Sequence, residues 1–233
     1  MKMKAAFYAA VILAAIFTPG SVILAEDKEP AVVSTPAGKA PSDAVVLFDG
    51  KDLSEWVQPD GKPAAWTVAE GAFTVKKGSG IMTRKEFGDM QLHIEFAAPY
   101  PPKGEGQDRG NSGVYLQGIY EVQVLDSFGN KTYTDGMVGA IYKQYPPLVN
   151  PSRPAGKWQT YDIIFHAPKF NAANKIEKKA RGTILLNGVL IQDNVEIEAT
   201  PGGPRNVEAP RGPIFLQDHN HPVKFRNVWV REL

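Results

Sequence analysis

The sequence predicts an all-β protein, a sandwich or barrel of antiparallel strands. Three observations carry this. Short apolar–polar alternations recur along the chain, turn signals separate them at short spacing, and no stretch beyond the N-terminal segment sustains a capped helical period. Successive side chains of a strand point to opposite faces, so alternation puts one set in a core and leaves the other on a sheet face. Several such strands within one domain are the pattern of a sandwich or barrel.

Taken in order, Ala44–Phe48 is a short apolar strand closed by the Asp49-Gly50 turn signal. Trp56 and Trp66 flank a loop, Gln58–Pro63. Trp66–Val68 and Ala72–Val75 form a hairpin about Glu70-Gly71, and Gly78–Gly80 is a further turn. Met90–Phe96 sets Leu92, Ile94 and Phe96 against Gln91, His93 and Glu95. Pro99–Gly110 is a long polar loop. In Gly110–Asn130, Val114 and Leu116 oppose Tyr115 and Gln117, and Val122 and Val124 oppose Glu121 and Gln123. Val138–Tyr142, Thr160–His166, Gly182–Leu186 and Val189–Glu198 continue the series. The last two are joined by Asn187-Gly188, a hairpin signal because both residues tolerate positive φ. Ile214–Gln217 and Val223–Arg231 complete it. A single helical turn is expected near Phe170–Lys178.

The first 25 residues have the features of a secretion signal. Lys2 and Lys4 precede the apolar run Ala5–Phe17, and Ile23-Leu24-Ala25 offers a cleavage site before Glu26. Pro19 and Gly20 interrupt the run too early for a stable membrane span. Residues 26–43, rich in proline, alanine and charge, read as a flexible linker, and residues 44–233 as a single β-domain. The chain has no cysteine, which closes off disulfides, thiolate chemistry and acylation at cysteine. Export without cysteine fits a bacterial periplasm or cell exterior. A net charge of +1 gives no electrostatic case for nucleic acid. Oligomeric state is left open.

The face carrying Tyr115, Gln117, Glu121 and Gln123 joins an aromatic, two amides and an acid, a combination suited to sugar hydroxyls and sugar C–H faces. Glu121 is a candidate general base or acid if burial raises its pKa, against the alternative of a solvated strand glutamate. Asp126 stands near the strand end as a second carboxylate. In Gln217-Asp218-His219, Gln217 and His219 share a side if the strand continues, and His219 is suited to proton transfer near neutral pH, against the alternative of a loop histidine held by Asp218. His219, Asp218 and His221 lack a matching further ligand for a metal, and no cofactor is implied. Tyr142 is a further contact candidate, and Asn111 either meets a ligand or satisfies the local backbone. Glu95 either lines the same cleft or faces water. Arg226 either buttresses Glu121 or Asp126 or pairs on the surface. Nucleophile-elbow, Walker and zinc-helix motifs do not occur.

Leu47-Phe48-Asp49-Gly50-Lys51-Asp52-Leu53 with Trp56, Gly110-Asn111-Ser112-Gly113-Val114-Tyr115, Tyr120–Asp126, Gly139-Ala140-Ile141-Tyr142, Gly156-Lys157-Trp158, Leu186-Asn187-Gly188, Gly212–His219 and Phe225-Arg226-Asn227-Val228 occur in this order. Together they resemble the 3-keto-disaccharide hydrolase family across Ala44–Leu233. Gln159 after Trp158, and Asn220-His221-Pro222 after His219, depart from its usual pattern. The resemblance implies a concanavalin-like jelly-roll β-sandwich of two antiparallel sheets with a concave binding face. It also implies an exported enzyme that cleaves glycosides oxidised to a ketone at C3, with carbohydrate as its partner.

A C3 ketone acidifies the C2 proton, so one base, one acid and enolate-stabilising donors suffice for elimination of the aglycone followed by hydration. Glu121 is the expected base and His219 the acid or enolate partner, with Tyr115, Gln123 and Gln217 on the hydroxyls. Two other readings remain. One is a non-catalytic carbohydrate-binding domain. The other is a conventional glycosidase using Glu121 and Asp126, whose carboxyls would need to stand ~5–5.5 Å or ~6.5–9.5 Å apart.

Overall fold

In the computed structural model, which describes residues 29–233, alternation becomes fifteen strands. They are β1 (Val45–Phe48), β2 (Trp56–Val57), β3 (Thr67–Ala69), β4 (Ala72–Thr74), β5 (Ile81–Thr83), β6 (Met90–Ala97), β7 (Ser112–Leu116), β8 (Tyr120–Val124), β9 (Gln159–His166), β10 (Lys169–Phe170), β11 (Ile176–Lys178), β12 (Ala180–Leu186), β13 (Val189–Ile197), β14 (Phe215–Leu216) and β15 (Lys224–Glu232). The secretion-signal reading of residues 1–25 falls outside the described residues. Residues 33–233 form one compact unit. Within it, Asp43, at the end of the expected linker, pairs with the Arg231 guanidinium at 2.7 Å.

Two antiparallel sheets face each other in a jelly-roll sandwich. The larger runs β13-β12-β9-β6-β15-β4-β3, with β1 also pairing with β15, and the smaller runs β2-β5-β14-β7-β8. Their inner faces carry the predicted apolar sets. Leu92, Ile94, Phe96, Tyr161, Ile163 and Phe165 come from the large sheet, and Ile81, Val114, Leu116, Val122, Val124 and Leu216 from the small one. The hairpin signals act as expected. Asn187 and Gly188 take φ of 54° and 80° between β12 and β13, and Glu70 and Gly71 take 53° and 71° between β3 and β4.

Two expected elements differ. Val138–Tyr142 is not a strand but an irregular segment along the free edge of β8. Gln123 N–H donates to the Ala140 carbonyl at 3.0 Å, while the Gly139 and Tyr142 N–H groups donate to the carbonyls of Gln123 and Glu121. Gly139, at φ 79°, breaks the extended path. Phe170–Lys178 forms the β10–β11 hairpin rather than a helical turn. Asn171 Oδ1 accepts from the Ala173 and Lys175 N–H groups, an asparagine turn that competes with helix.

A polar contact crosses the apolar interior beneath the β7–β8 pair. The Tyr161 hydroxyl of β9, fully buried, donates to the Gln123 carbonyl of β8 at 2.6 Å, tying the strand that bears Glu121 to the opposite sheet. Tyr161→Phe is expected to cost about 1 kcal/mol, the net worth of such a bond. Tyr100→Phe, at a position 78% exposed, should cost nothing measurable. Urea unfolding of the two variants checks this, and equal stability would remove the inter-sheet tie.

Candidate active site

Antiparallel pairing of β7 with β8 sets Tyr115 opposite Glu121 and Gly113 opposite Gln123. These four residues lie on the side away from the core. Such a face is ordinarily wet. Here every residue of β7 and β8 is buried, because three segments cover it. Asn111 and Gln107 come from the loop before β7, Tyr133–Tyr145 from the segment after β8, and Thr200–Gly212 from the stretch between β13 and β14. Thr200 N–H donates to the Ile119 carbonyl and Arg205 N–H to the Gly118 carbonyl, fastening the last of these over the β7–β8 turn. Its glycines allow close approach. A Cβ on Gly203 would stand 2.3 Å from the Gly118 carbonyl oxygen and 2.9 Å from the Tyr115 ring.

The cover leaves a pocket of about 210 Å³ lined by Asn111, Tyr115, Glu121, Gln123, Tyr142, Pro201, Gln217 and His219. Seven of the sequence candidates therefore meet in one place. Larger hollows exist, including one of about 740 Å³ beside Glu95 and Arg226. The smaller pocket is the chemical candidate because it joins a buried carboxyl to amides, phenols and a histidine.

Glu121 is 3% exposed, and burial pushes its carboxyl up from 4.5 to about 7, against a smaller opposing effect from the neighbouring Tyr115 hydroxyl. Burial and the adjacent Glu121 push the Tyr115 phenol well above its ordinary range, so it stays a donor. Gln217 Nε2 donates to the Tyr115 oxygen at 3.1 Å. Gln217 is itself fixed by its backbone: its N–H donates to the Gly113 carbonyl, and its carbonyl accepts from Ser112 Oγ at 2.8 Å. Gly113 must lack a side chain, since a Cβ there would stand 2.6 Å from Glu121 Oε1 and 2.8 Å from the Tyr115 ring.

His219 is exposed at the pocket mouth, its ring parallel to that of His221 at 5.9 Å. Asp218 does not hold it; that carboxylate accepts from the Gly78 and Asn220 N–H groups. Asn111, 4% exposed, donates to the Gln107 carbonyl at 2.9 Å and so serves the loop while lining the pocket. Gln107, not a sequence candidate, contacts Gln123. It sits in a polar loop where no periodicity marks it.

Four candidates stand elsewhere. Gln117 does not continue the Tyr115 face. β7 ends at Leu116, Gln117 and Gly118 turn at φ 53° and 69°, and the Gln117 amide donates to the Phe87 and Pro210 carbonyls. Asp126 lies beyond the end of β8, with Oδ2 2.7 Å from Arg109 Nε, and borders a different hollow. Glu95 and Arg226 belong to the large sheet and pair with each other at 2.7 Å. Burial raises the Glu95 carboxyl, but bonds from Asn227 and Arg226 outweigh it and hold the group below its usual range. The Arg226 guanidinium stacks on Trp158 at 4.1 Å. Neither buttresses Glu121.

The sequence signature of the 3-keto-alpha-glucoside-1,2-lyase-like domain matches residues 43–231. The chain belongs to this family. A protein of Parabacteroides distasonis described as a candidate glycosyl hydrolase shares 42% identity, with 92% of this chain and 97% of that one aligned at a TM-score of 0.81. A second protein of that organism, described in the same way, shares 20% identity over 82% of this chain and 94% of its own, at a TM-score of 0.60, a likeness of fold. A comparison with curated proteins finds no match. The family resemblance read from the sequence is thus established, and so is the jelly-roll fold.

The raised Glu121 pKa fixes the sign of a stability effect. The folded state holds the proton up to about pH 7, whereas the unfolded chain releases it near 4.5, so stability falls as pH rises across that window. Glu121→Gln removes this loss. Its stability relative to wild type should be higher at pH 8 than at pH 4, by on the order of 3 kcal/mol. Denaturant unfolding at both pH values measures it, and a pH-independent difference would mean the carboxyl titrates normally.

Proposed function

We propose that this family member cleaves 3-keto-glucosides by elimination across C1 and C2, with Glu121 as the base. Family membership and a glycosyl hydrolase-like neighbour support a carbohydrate-active protein. One observation carries the finer reading: a single buried carboxyl, poised near neutrality, in a pocket otherwise lined by neutral hydrogen-bonding groups and a histidine. A conventional glycosidase needs two carboxyls across the scissile bond. Among the described lining residues Glu121 is the only carboxyl, and Asp126 is committed to Arg109.

A C3 ketone acidifies the C2 hydrogen, which is what a base of pKa about 7 can remove near neutral pH. Glu121 takes that proton, and charge develops on the C3 oxygen, where the Asn111 and Gln217 amides are the available donors. The electron pair then forms the C1–C2 double bond as the C1–O bond breaks, and His219 at the mouth protonates the departing oxygen. Addition of water to the enone gives net hydrolysis. Tyr115, the cross-strand partner of Glu121, stays a neutral phenol beside the carboxyl. The pocket is small against ligand cavities of ~300–1,000 Å³, which suits one sugar ring with its aglycone outside. We further propose that the protein is exported, on the signal-like character of residues 1–25.

Purified protein should release aglycone from a 3-keto-glucoside and not from the unoxidised parent. kcat/KM should rise with pH through about 7, because the base must be ionised. Glu121→Gln should lower kcat by ~10²–10⁴-fold, the usual contribution of a general base. Release from the parent sugar, or an unchanged Glu121→Gln variant, would defeat the reading. Binding without release would leave a carbohydrate-binding domain.

A further inference from the structure

Gln123 and Gln107 form a chain of two amides between two backbone carbonyls, and such a chain cannot be satisfied at both ends. Gln107 Nε2 donates to the Gly136 carbonyl at 2.8 Å and to Thr132 Oγ1 at 2.9 Å. Its Oε1 accepts from the Gln123 amide at 2.9 Å. The other end of the Gln123 amide lies 3.0 Å from the Ser112 carbonyl and 3.2 Å from Glu121 Oε1. Carbonyl oxygens only accept. When Gln107 gives its nitrogen to Gly136, Gln123 must turn its own nitrogen to Gln107, and its oxygen then meets the Ser112 oxygen. When Gln123 turns over, its nitrogen satisfies Ser112 and Glu121, but Gln107 must turn too and present oxygen to Gly136. Each amide has one donating and one accepting end, so the mismatch moves without vanishing. Gln123 is 1% exposed, a position at which polar groups are ordinarily paired.

The proton on Glu121 decides which end carries the mismatch. A protonated carboxyl donates to the Gln123 oxygen, and a carboxylate accepts from the Gln123 nitrogen. At the far end the Thr132 hydroxyl either accepts or donates, and it is the group that stabilises the turned-over state. We propose that Gln123 and Gln107 act as an amide relay that turns over with the proton on Glu121, linking the carboxyl to the loop at Thr132–Gly136. The other titratable groups facing Glu121 are Tyr115 from β7, Tyr133 and Tyr142 from the segment after β8, and His219 from the segment after β14. Lys143 lies over the Tyr133 ring at 3.3 Å. The relay rests on geometry alone. Its part in turnover, keeping the base hydrogen-bonded in both protonation states, rests on the reading of Glu121 as the base, with Gln123 as a positioning residue.

The test is an NMR titration of protein carrying ¹³C-labelled glutamate carboxyls, with the Glu121 signal identified by its loss in Glu121→Gln. Two substitutions that leave Glu121 untouched should move its midpoint in opposite directions, each by about half a pH unit, within the free energy of one hydrogen bond. Thr132→Val raises it, since the carboxylate-favouring arrangement loses its donor. Gln107→Leu lowers it, since Gln123 is then free to keep its nitrogen on Glu121. In wild-type protein the Gln123 side-chain ¹⁵NH₂ signal should shift with the Glu121 midpoint. Shifts of the same sign in both variants, no shift in either, or a Gln123 signal flat across the midpoint would overturn the relay. Aglycone release is scored separately, so a protein with a working relay and no turnover would refute the proposed function and leave the relay standing.

Discussion

Burial of both faces of the β7–β8 pair is the constraint on which the site depends. An antiparallel strand pair at the end of a sheet normally keeps one wet face, and a glutamate there would titrate as in water. The segments at Asn111, Tyr133–Tyr145 and Thr200–Gly212 cover that face and leave Glu121 3% exposed. The raised pKa of its carboxyl, the need for glycine at 113 and 203, and the neutral hydrogen-bonding surroundings all follow from the cover. The Tyr161 bond to the Gln123 carbonyl holds the pair against the large sheet from below.

The same constraint sorts the charged groups. A second carboxylate in so buried a pocket would raise the cost of ionising the first. Asp126 is instead paired with Arg109 beyond the strand end, and Glu95 with Arg226 on the other sheet. What surrounds Glu121 is amide, phenol and imidazole. This arrangement suits abstraction of one acidified proton better than a reaction needing two opposed charges. It also makes the amides more than hydroxyl contacts, because Gln123 and Gln107 stand in series between two fixed carbonyls.

Alternation made the sandwich legible, since period-two patterning specifies which residues face the core. It placed Val114, Leu116, Val122 and Val124 inward and Tyr115, Glu121 and Gln123 outward, as found. It does not specify where a strand stops. Gln117 fits the pattern of Tyr115, yet the chain has already entered a left-handed turn there. Nor does it say which sheet a strand joins. Glu95 and Arg226 are on polar faces as read, but of the large sheet. Gln107, and the cover that sets the pKa of Glu121, belong to loops whose positions arise from contacts distant in sequence. The same is true of Val138–Tyr142, whose apolar run packs along β8 by single backbone bonds rather than as a strand.

The central claim is that Glu121 removes the C2 proton of a 3-keto-glucoside. It is tested most directly with a substrate deuterated at C2, in ordinary water, by mass analysis of the sugar released with the aglycone. The account predicts that deuterium is lost from C2 in step with release. Release of a sugar that retains its C2 deuterium would contradict it and point to direct displacement at C1.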